Sequence, residues 1–355
     1  MISRIGFTIA VLAAFFLNVQ AQDNSNFNFS GNARFSYGSS SGEAFEHFEG
    51  TSFLRVRVGA FYGFNENHGF KARLATTQSS EFPEASFTIK ADGGGLNTGS
   101  ISFDEFYYQF KNEKTQVKAG RFQHTPKVLS NAGRSHMRFM SNNINIHWID
   151  GIYVKRSLNE DWYGEVIGEY QPRNHTSYSY RGPLNFGNNE HNVASYLGLE
   201  NRTRDDNNFI QKGFGLFVAP NAYLKPSGYS TYFAVMSHLV YDLPKPDALN
   251  GGSFRVAAEL GQNLNAAFED GTSAVLSLGI NNFADKHQFM VEFARTDSDW
   301  LTPNVYAPNA DELEIRYRYF ISDDLNIDFR YRIRESRSDF VDTNYNFFAR
   351  ATYSF

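Results

Sequence analysis

Cysteine is absent from the 355-residue sequence, so neither a disulfide framework nor a thiolate metal site can form. Long apolar runs are also missing, because no stretch after residue 21 approaches the roughly 18 apolar residues of a transmembrane helix. The net charge of −5 is modest and indicates no nucleic-acid partner. P-loop and Rossmann fingerprints are absent too, since the glycine run at 93–95, which follows Asp92, has no helical pattern after it.

The first 21 residues show the pattern of a secretory signal peptide. Arg4 precedes an apolar run of about 13 residues, and Val19-Gln20-Ala21 places small residues at the positions that determine cleavage. The run is shorter than the roughly 20 residues that a spanning helix needs. We therefore expect cleavage after Ala21, with residues 1–21 as the signal peptide and residues 22–355 as the exported chain.

Aromatic residues are abundant in a chain that is polar on average. There are 20 Tyr and 35 Phe, yet the mean hydropathy is −0.45. An outer-membrane β-barrel combines these properties, because its strands alternate lipid-facing and water-facing residues. Sixteen segments with a two-residue period are candidate strands, near 26–37, 51–64, 69–78, 101–111, 115–122, 146–157, 162–171, 193–203, 209–219, 229–243, 253–264, 272–283, 286–296, 311–321, 324–335 and 343–355.

The connections between these segments alternate between long and short. The segments 38–50 and 79–100 are long, whereas 65–68 and 112–114 are short and rich in turn-forming residues. Long loops outside and short turns in the periplasm are typical of bacterial outer-membrane barrels. The sequence thus predicts an all-β fold, a transmembrane antiparallel β-barrel of about 16 strands (14–18), with long extracellular loops and short periplasmic turns.

The final strand is expected to close this barrel. Residues 343–355 alternate cleanly and end on Phe355. Pairing of the last strand with the first would leave no unsatisfied strand edge in lipid. The terminal Phe355 also resembles the signal by which outer-membrane barrels are recognised by the barrel-assembly machinery.

The alternation also assigns the two faces of the wall. In 324–335 the apolar residues share one parity and the arginines the other. An arginine facing lipid at mid-bilayer costs roughly 2–4 kcal/mol, so the charged parity should face the lumen. The predicted pore-lining bases on the strands around the seam are Arg34, Arg55, Arg57, Lys71, Arg73, Arg316, Arg318, Arg330, Arg332, Arg334 and Arg350.

Two stretches carry a resemblance to a known family. The segments LRVRVGAFYGFNENHGFKARL (Leu54–Leu74) and FDEFYYQFKNEKTQVKAGRF (Phe103–Phe122), followed by Pro126, are similar to the phosphate-selective porin family within the Gram-negative porin superfamily. The resemblance implies a sixteen-stranded, usually trimeric diffusion channel with arginines along the lumen wall, and it adds Lys118 to the pore-lining bases. A lysine cluster near the pore mouth, which phosphate-selective members have, is not evident here.

The third long loop is basic. No Asp or Glu lies between Lys114 and Ile149, and residues 123–145 are a candidate constriction loop with Lys127, Arg134, His136 and Arg138. In many porins this loop folds into the barrel, and pore-lining bases favour anions. We therefore expect passive diffusion of small hydrophilic solutes with anion preference. Alternatively, the loop stays outside and binds lipopolysaccharide phosphates.

Two other functions stay open. In a carbohydrate-specific porin, Phe61, Tyr153 and Phe348 would offer stacking surfaces, since parity allows them to face the lumen. In a non-conducting barrel, long loops near 79–100, 172–192 and 297–310 would act as an adhesin or receptor. An enzyme is not expected, because no nucleophile elbow accompanies the nine histidines, and neither a cofactor nor a metal site is predicted.

The expected surroundings follow from this interpretation. The chain would reside in the outer membrane of a Gram-negative bacterium as a homotrimer. Its expected partners are outer-membrane lipid and lipopolysaccharide, the assembly machinery acting through Phe355, and small anionic solutes, with no nucleic acid.

Overall fold

Sixteen antiparallel strands close into one barrel in the computed structural model of the chain. The structure describes residues 26–42, 50–81, 86–87, 95–96, 98–124, 128–129, 146–171, 192–203, 208–225, 228–243, 252–266, 271–300, 309–337 and 343–355. Each strand pairs with the next, and the last pairs with the first, which confirms the predicted barrel. The strands are β1 (Phe27–Ser41), β2 (Gly50–Gly63), β3 (His68–Ser79), β4 (Ser100–Lys111), β5 (Thr115–Phe122), β6 (Ile149–Ser157), β7 (Trp162–Gln171), β8 (Asn192–Asn201), β9 (Phe209–Lys225), β10 (Gly228–Asp242), β11 (Ser253–Asn263), β12 (Thr272–Phe283), β13 (His287–Thr296), β14 (Ala310–Phe320), β15 (Leu325–Ser336) and β16 (Asn344–Ser354).

Short pairings accompany the barrel. Ser86–Phe87 runs parallel to the start of β4, and Gly95–Leu96 pairs antiparallel with Ile146–His147. Across the ranges given above, no helix has the length and apolar character needed to cross a bilayer.

Three of the short turns are stabilised by the same kind of hydrogen bond, from main-chain N–H groups to an Asn side chain. Asn65, Asn112 and Asn159 each accept hydrogen bonds on Oδ1 from the main-chain N–H groups two and three residues later, at 2.7–3.0 Å. An Asn side chain thereby replaces part of the main-chain bonding that a turn leaves open. These turns mark one end of the barrel, called here the turn end.

The seam between β1 and β16 is continuous. It pairs Asn32 with Ser354 through to Ser41 with Tyr345. Main-chain hydrogen bonds in both directions join Gly31 and Phe355, at 2.9 and 3.2 Å. The Phe355 ring lies where a Cβ on Gly31 would stand, so glycine is needed for this close approach. The closing role predicted for the final strand is confirmed.

The outward face of the barrel is apolar on nearly every strand. A continuous apolar surface of this size is not tolerated in water by a monomeric soluble protein, but suits lipid. Exposed outward apolar residues include Phe35, Leu74, Phe106, Ile152, Val166, Leu197, Phe214, Leu239, Leu260, Leu276, Phe293, Ile315, Phe329 and Tyr353.

Aromatic contacts gather at the turn end. Phe27 and Tyr62 lie 4.6 Å apart between ring centroids on adjacent strands. His68 and His287, the first residues of β3 and β13, each contact a tyrosine hydroxyl through Nδ1, at 2.5 Å to Tyr108 and 2.7 Å to Tyr317. Such amphipathic rings are typical of a membrane–water interface.

Candidate functional site

One side of the barrel interior is lined with bases. The inward faces of β14–β16 and β1–β3 are adjacent around the closed wall and are called here the basic wall. The residues at its inward positions alternate with the apolar outward ones along every strand. Its bases are Arg34, Arg55, Arg57, Lys71, Arg73, Arg316, Arg318, Arg330, Arg332, Arg334 and Arg350.

Lys118 faces inward beside this wall, on β5. Its Nζ lies 5.0 Å from the ring centroid of Tyr107 and 5.8 Å from that of Tyr153. The amine therefore rests between two inward tyrosines, in cation–π contact with both.

A single carboxylate serves four arginines on the basic wall. Asp328 is fully buried, and its Oδ2 accepts a hydrogen bond from Arg350 Nε at 3.0 Å. Guanidinium nitrogens of Arg316, Arg318 and Arg330 lie 3.3, 3.7 and 3.9 Å from its oxygens. The cluster keeps a net positive charge, because one negative charge cannot neutralise four positive ones.

A β-bulge supplies a second carboxylate. Arg73 stands opposite Glu105 and Leu74 opposite Phe103, which leaves Asp104 as an extra residue in β4. Two consecutive acids therefore point inward. Asp104 accepts hydrogen bonds from Arg73 at 2.8 and 2.9 Å and lies 3.1 Å from Arg57 Nε.

Two glutamates on β14 pair with β15. Arg332 lies 2.7 Å from Glu314 and 3.3 Å from Glu312, and Arg334 lies 3.1 Å from Glu312. With Asp104, Glu105, Asp328 and Glu292, which stands opposite Glu314 on β13, these are six carboxylates beside the eleven bases in the described part of this region. Elsewhere arginine opposes arginine directly, as at Arg316 and Arg330. Bases thus prevail on this wall.

The opposite side of the interior is packed. The inward faces of β6–β11 are called here the packed wall, and their apolar residues are almost fully buried against one another and against Phe122 and Trp300. A dense apolar cluster of this kind excludes water. The larger cluster on this wall contains Ile149, Tyr153, Ile167, Ala194, Tyr196, Phe217, Ala219, Tyr232, Ala234 and Met236, and a second cluster joins Val240 and Ala257 to Val128.

The segment after β13 helps to cover this wall. Trp300 lies over Gly261, and Asn263 Nδ2 donates a hydrogen bond to the main-chain oxygen of Asp299 at 2.8 Å. Asp297 accepts hydrogen bonds from Thr272 and Arg337. Burial acts to raise the pKa of Asp297, but these hydrogen bonds outweigh it and lower the pKa.

The packed wall also carries four glutamates, but these are buried. Glu165, Glu169, Glu200 and Glu259 are only 1–6% exposed. Glu165 accepts a hydrogen bond from Tyr153 at 3.2 Å, and Glu200 lies 3.5 Å from His238 Nε2. On the basic wall, by contrast, the side chains of Arg73, Arg332, Arg318 and Arg334 are 15, 16, 23 and 30% exposed. The charge that water can reach is therefore mainly positive.

The chain that leaves β5 enters the interior. Gln123 accepts a hydrogen bond from Arg73 at 2.8 Å, and His124 Nε2 lies 3.4 Å from Glu165. Leu129 is bonded to inward residues of β9 and β11. The four candidate constriction residues, Lys127, Arg134, His136 and Arg138, lie outside the described residues.

Solved structures with the same architecture are porins. The barrel is similar to Pseudomonas putida OprB at 12% identity, covering 93% of this chain and 94% of that chain, with a TM-score of 0.66. It is also similar to Salmonella typhi OmpF (11%, 93% and 97%, TM-score 0.59) and to a mutant of Rh. blastica porin (10%, 93% and 100%, TM-score 0.56). The fold is that of a Gram-negative porin. No protein-family model and no curated protein matches the chain, so the phosphate-selective subtype stays a prediction.

Aromatic residues inside the barrel are buried by other parts of the protein. Tyr153 is 4% exposed, and its ring centroid lies 4.5 Å from that of His124. Phe348 is 8% exposed, with the Arg330 guanidinium 4.1 Å from its ring centroid. Phe61 fills the space over Gly69. These three positions face inward, yet the first two offer little open ring surface to a sugar.

Several interior residues of the barrel carry no recognisable signal in the sequence. Asp104 breaks the parity of β4, and Gln211, Asp242 and Arg255 look like ordinary alternating residues. The lengths of strands and turns do not reveal these roles. The roles arise from a bulge or from contacts between residues that are more than 80 positions apart in the sequence. Within the described ranges, no group of three potential metal ligands gathers.

Proposed function

We propose that the protein is an outer-membrane porin through which small hydrophilic solutes diffuse passively, with preference for anions. The observation that carries this proposal is the difference in exposure between the two walls. Several bases of the basic wall, among them Arg318 and Arg334, retain contact with water, whereas Glu165, Glu169, Glu200 and Glu259 of the packed wall are buried. No catalysis and no cofactor is part of this function.

The physical basis is electrostatic. An anion that enters the passage loses part of its hydration shell, and guanidinium N–H groups replace some of the lost hydrogen bonds. A cation meets the same arginines as a barrier. The buried glutamates compensate little, because Glu165 and Glu200 are bonded to tyrosine, histidine and arginine partners within the wall.

The cellular context is part of the same proposal. The apolar outward face and the aromatic contacts at the turn end support residence in the outer membrane, after export through a cleaved signal peptide. Lipid and lipopolysaccharide would surround the barrel, Phe355 would engage the assembly machinery, and three copies would associate. The constriction loop of residues 123–145 is proposed to narrow the passage, and the inward course of Gln123, His124 and Leu129 supports this.

Reversal potentials in planar bilayers under a KCl gradient test the function. We expect conductance with the sign of anion preference. Cation preference would contradict the anion proposal, and absence of conductance would favour an adhesin or receptor. Current block by maltodextrins with little charge selectivity would favour a carbohydrate channel.

Charge removal on the basic wall tests the cause of the selectivity. Arg318→Gln combined with Arg334→Gln should reduce anion preference, because both side chains are partly exposed to the passage. Arg295→Gln is the matched control, since Arg295 points outward and pairs with Asp311 at 3.6 Å. Equal reversal potentials for all three proteins would show that the basic wall does not set selectivity.

A further inference from the structure

Two histidines occupy equivalent positions on the outward face at the turn end. His68 is the first residue of β3, and His287 is the first residue of β13. Each stands directly opposite an aromatic residue of the following strand. The ring centroids of His68 and Phe110 are 5.1 Å apart, and those of His287 and Tyr319 are 5.0 Å apart. The same arrangement therefore occurs twice, on well-separated strands of the closed wall.

A tyrosine hydroxyl fixes each imidazole. His68 Nδ1 lies 2.5 Å from Tyr108 Oη, and His287 Nδ1 lies 2.7 Å from Tyr317 Oη. Each tyrosine comes two residues before the aromatic residue opposite the histidine, so its hydroxyl reaches Nδ1 from the side of the bilayer centre. A phenolic O–H is a better donor than a neutral imidazole N–H, so we assign the tyrosine as the donor. The proton of the ring is then on Nε2.

The Nε2–H group of each ring is directed toward the lipid head groups. The two nitrogens of an imidazole point in nearly opposite directions, so Nε2 points away from the barrel wall and toward its turn end. Both rings are partly exposed, and an exposed lysine adjoins each, Lys111 next to Phe110 and Lys286 next to His287. A fixed N–H donor at this level is a suitable partner for the ionised oxygen of a lipid phosphate.

An acid precedes each histidine by two residues. Glu66 lies in the turn before β3 and Asp285 in the turn before β13, and both are exposed. Because the turns lie beyond the strand ends, each carboxylate is farther from the bilayer centre than the imidazole. A carboxylate attracts a cation, whereas the N–H attracts an anion. A ligand that satisfies both is zwitterionic, with its positive charge farther from the bilayer centre than its negative charge.

The surface next to each imidazole is apolar. The ring centroid of Phe283 lies 5.0 Å from that of His287. Farther from the turn end, the outward residues Phe106 and Phe289 of the same strand pairs are exposed. The position for a phosphate therefore continues into a surface that suits acyl chains, which a free phosphate ion would not use.

We propose that the turn end carries two sites for a phospholipid head group that combines a phosphate diester with a primary ammonium, as in phosphatidylethanolamine. In each site the imidazole Nε2–H donates to a phosphate oxygen, and the carboxylate accepts from the ammonium. The inference rests on the proposed outer-membrane function, because it requires a bilayer around the barrel. The first site consists of Glu66, His68 and Tyr108, and the second of Asp285, His287 and Tyr317.

Native mass spectrometry of the detergent-solubilised protein tests the sites by counting bound lipid. The probes are phosphatidylethanolamine, phosphatidylglycerol and diacylglycerol with identical acyl chains. We expect two retained molecules of phosphatidylethanolamine, fewer of phosphatidylglycerol, which lacks the ammonium, and fewest of diacylglycerol, which lacks the whole head group. Equal retention of phosphatidylethanolamine and diacylglycerol would overturn the proposal.

Removal of the imidazole nitrogens tests the assigned donors. His68→Phe combined with His287→Phe keeps an aromatic ring at both positions. It should weaken the binding of phosphatidylethanolamine by about fivefold per site, because one hydrogen bond to phosphate is lost. Tyr353→Phe is the matched control, since it removes an outward hydroxyl at the same end, where the Tyr353 ring lies 6.1 Å from that of Phe355. Equal affinities of the histidine variant and this control would contradict the assignment.

A second variant provides the same comparison if the histidine variant does not fold. Tyr108→Phe with Tyr317→Phe keeps both imidazoles but removes the hydroxyls that hold them, so it should also weaken the binding of phosphatidylethanolamine. Excess inorganic phosphate should leave the lipid bound. Displacement of the lipid by inorganic phosphate would reject a lipid as the ligand.

Lipid binding and conduction are measured separately, so the two proposals can fail separately. A conducting protein that retains the three lipids equally would reject the head-group sites and leave the porin function intact. A silent unmodified protein would reject the porin function, and the lipid count would still decide whether the head-group sites exist.

Discussion

The basic wall and the packed wall are built from the same alternation of residues but use their inward positions differently. Inward residues of β14–β16 and β1–β3 include many long cations, and several of these reach water. Those of β6–β11 are mostly aromatic, small or carboxylate side chains that are buried. Alternation decides only which side chains point inward. Their exposure depends on length and on what covers them, and exposure determines which charges a solute meets.

The largest effect is expected from a substitution that disrupts the apolar cluster of the packed wall. Tyr196→Ala should lower the free energy of unfolding by about 4 kcal/mol, because it removes a 3%-exposed aromatic ring from the interior cluster. Urea unfolding followed by tryptophan fluorescence measures this. Tyr353→Ala is the control, since that ring is outward and 48% exposed. Similar losses for both would mean that the interior cluster is not a core.

The next-largest effect concerns Asp328, the carboxylate that four arginines of the basic wall share. Asp328→Asn keeps the shape but leaves four arginines without their shared anion, so we expect a loss of about 3 kcal/mol in unfolding free energy. Denaturant titration measures it. Asp311→Asn, at an exposed outward pair, should change stability by about 1 kcal/mol or less. If Asp328→Asn were as stable as Asp311→Asn, the four arginines around Asp328 would not need a negative charge between them.

The smallest effect is expected from a buried carboxylate of the packed wall, and it is compared with the effect of a partly exposed arginine of the basic wall. Glu165→Gln should leave the reversal potential unchanged, because this carboxylate is 6% exposed and bonded to Tyr153. Arg334→Gln alone should reduce anion preference measurably, because its side chain is 30% exposed. A larger shift from the glutamate than from the arginine would place the solute path along the packed wall.

Much of the barrel architecture could be predicted from the sequence, because it depends on patterns that extend over only a few residues. Strand alternation and turn residues act over a few positions, so sixteen strands, their order and the closing seam followed from short patterns. The inward parity of Arg330 or Arg57 followed in the same way. The packing of the opposite wall did not, because it depends on Phe122, Trp300 and Val128 arriving from distant segments.

The interior partners were harder to predict for two reasons. Asp104 points inward only because of a one-residue register shift, and no local pattern distinguishes Asp104-Glu105 from a normal alternating pair. Gln211 and Arg255 acquire their role from hydrogen bonds to Leu129, which is 82 and 126 residues away in the sequence. The acid-free character of the third loop predicted charge but contained no information about where its main chain would attach.

The bulge in β4 has a consequence for how this hairpin tolerates deletions. Excising Asp104 would restore an unbroken ladder with β3, and every other side chain of the strand would keep its face, because Asp104 is the extra residue of the bulge. Excising a regularly paired residue such as Tyr107 would instead exchange the faces of all side chains on one side of the excision. A one-residue loss in this strand should therefore be accepted at Asp104, where it removes the carboxylate shared by Arg57 and Arg73, and not at its regularly paired neighbours.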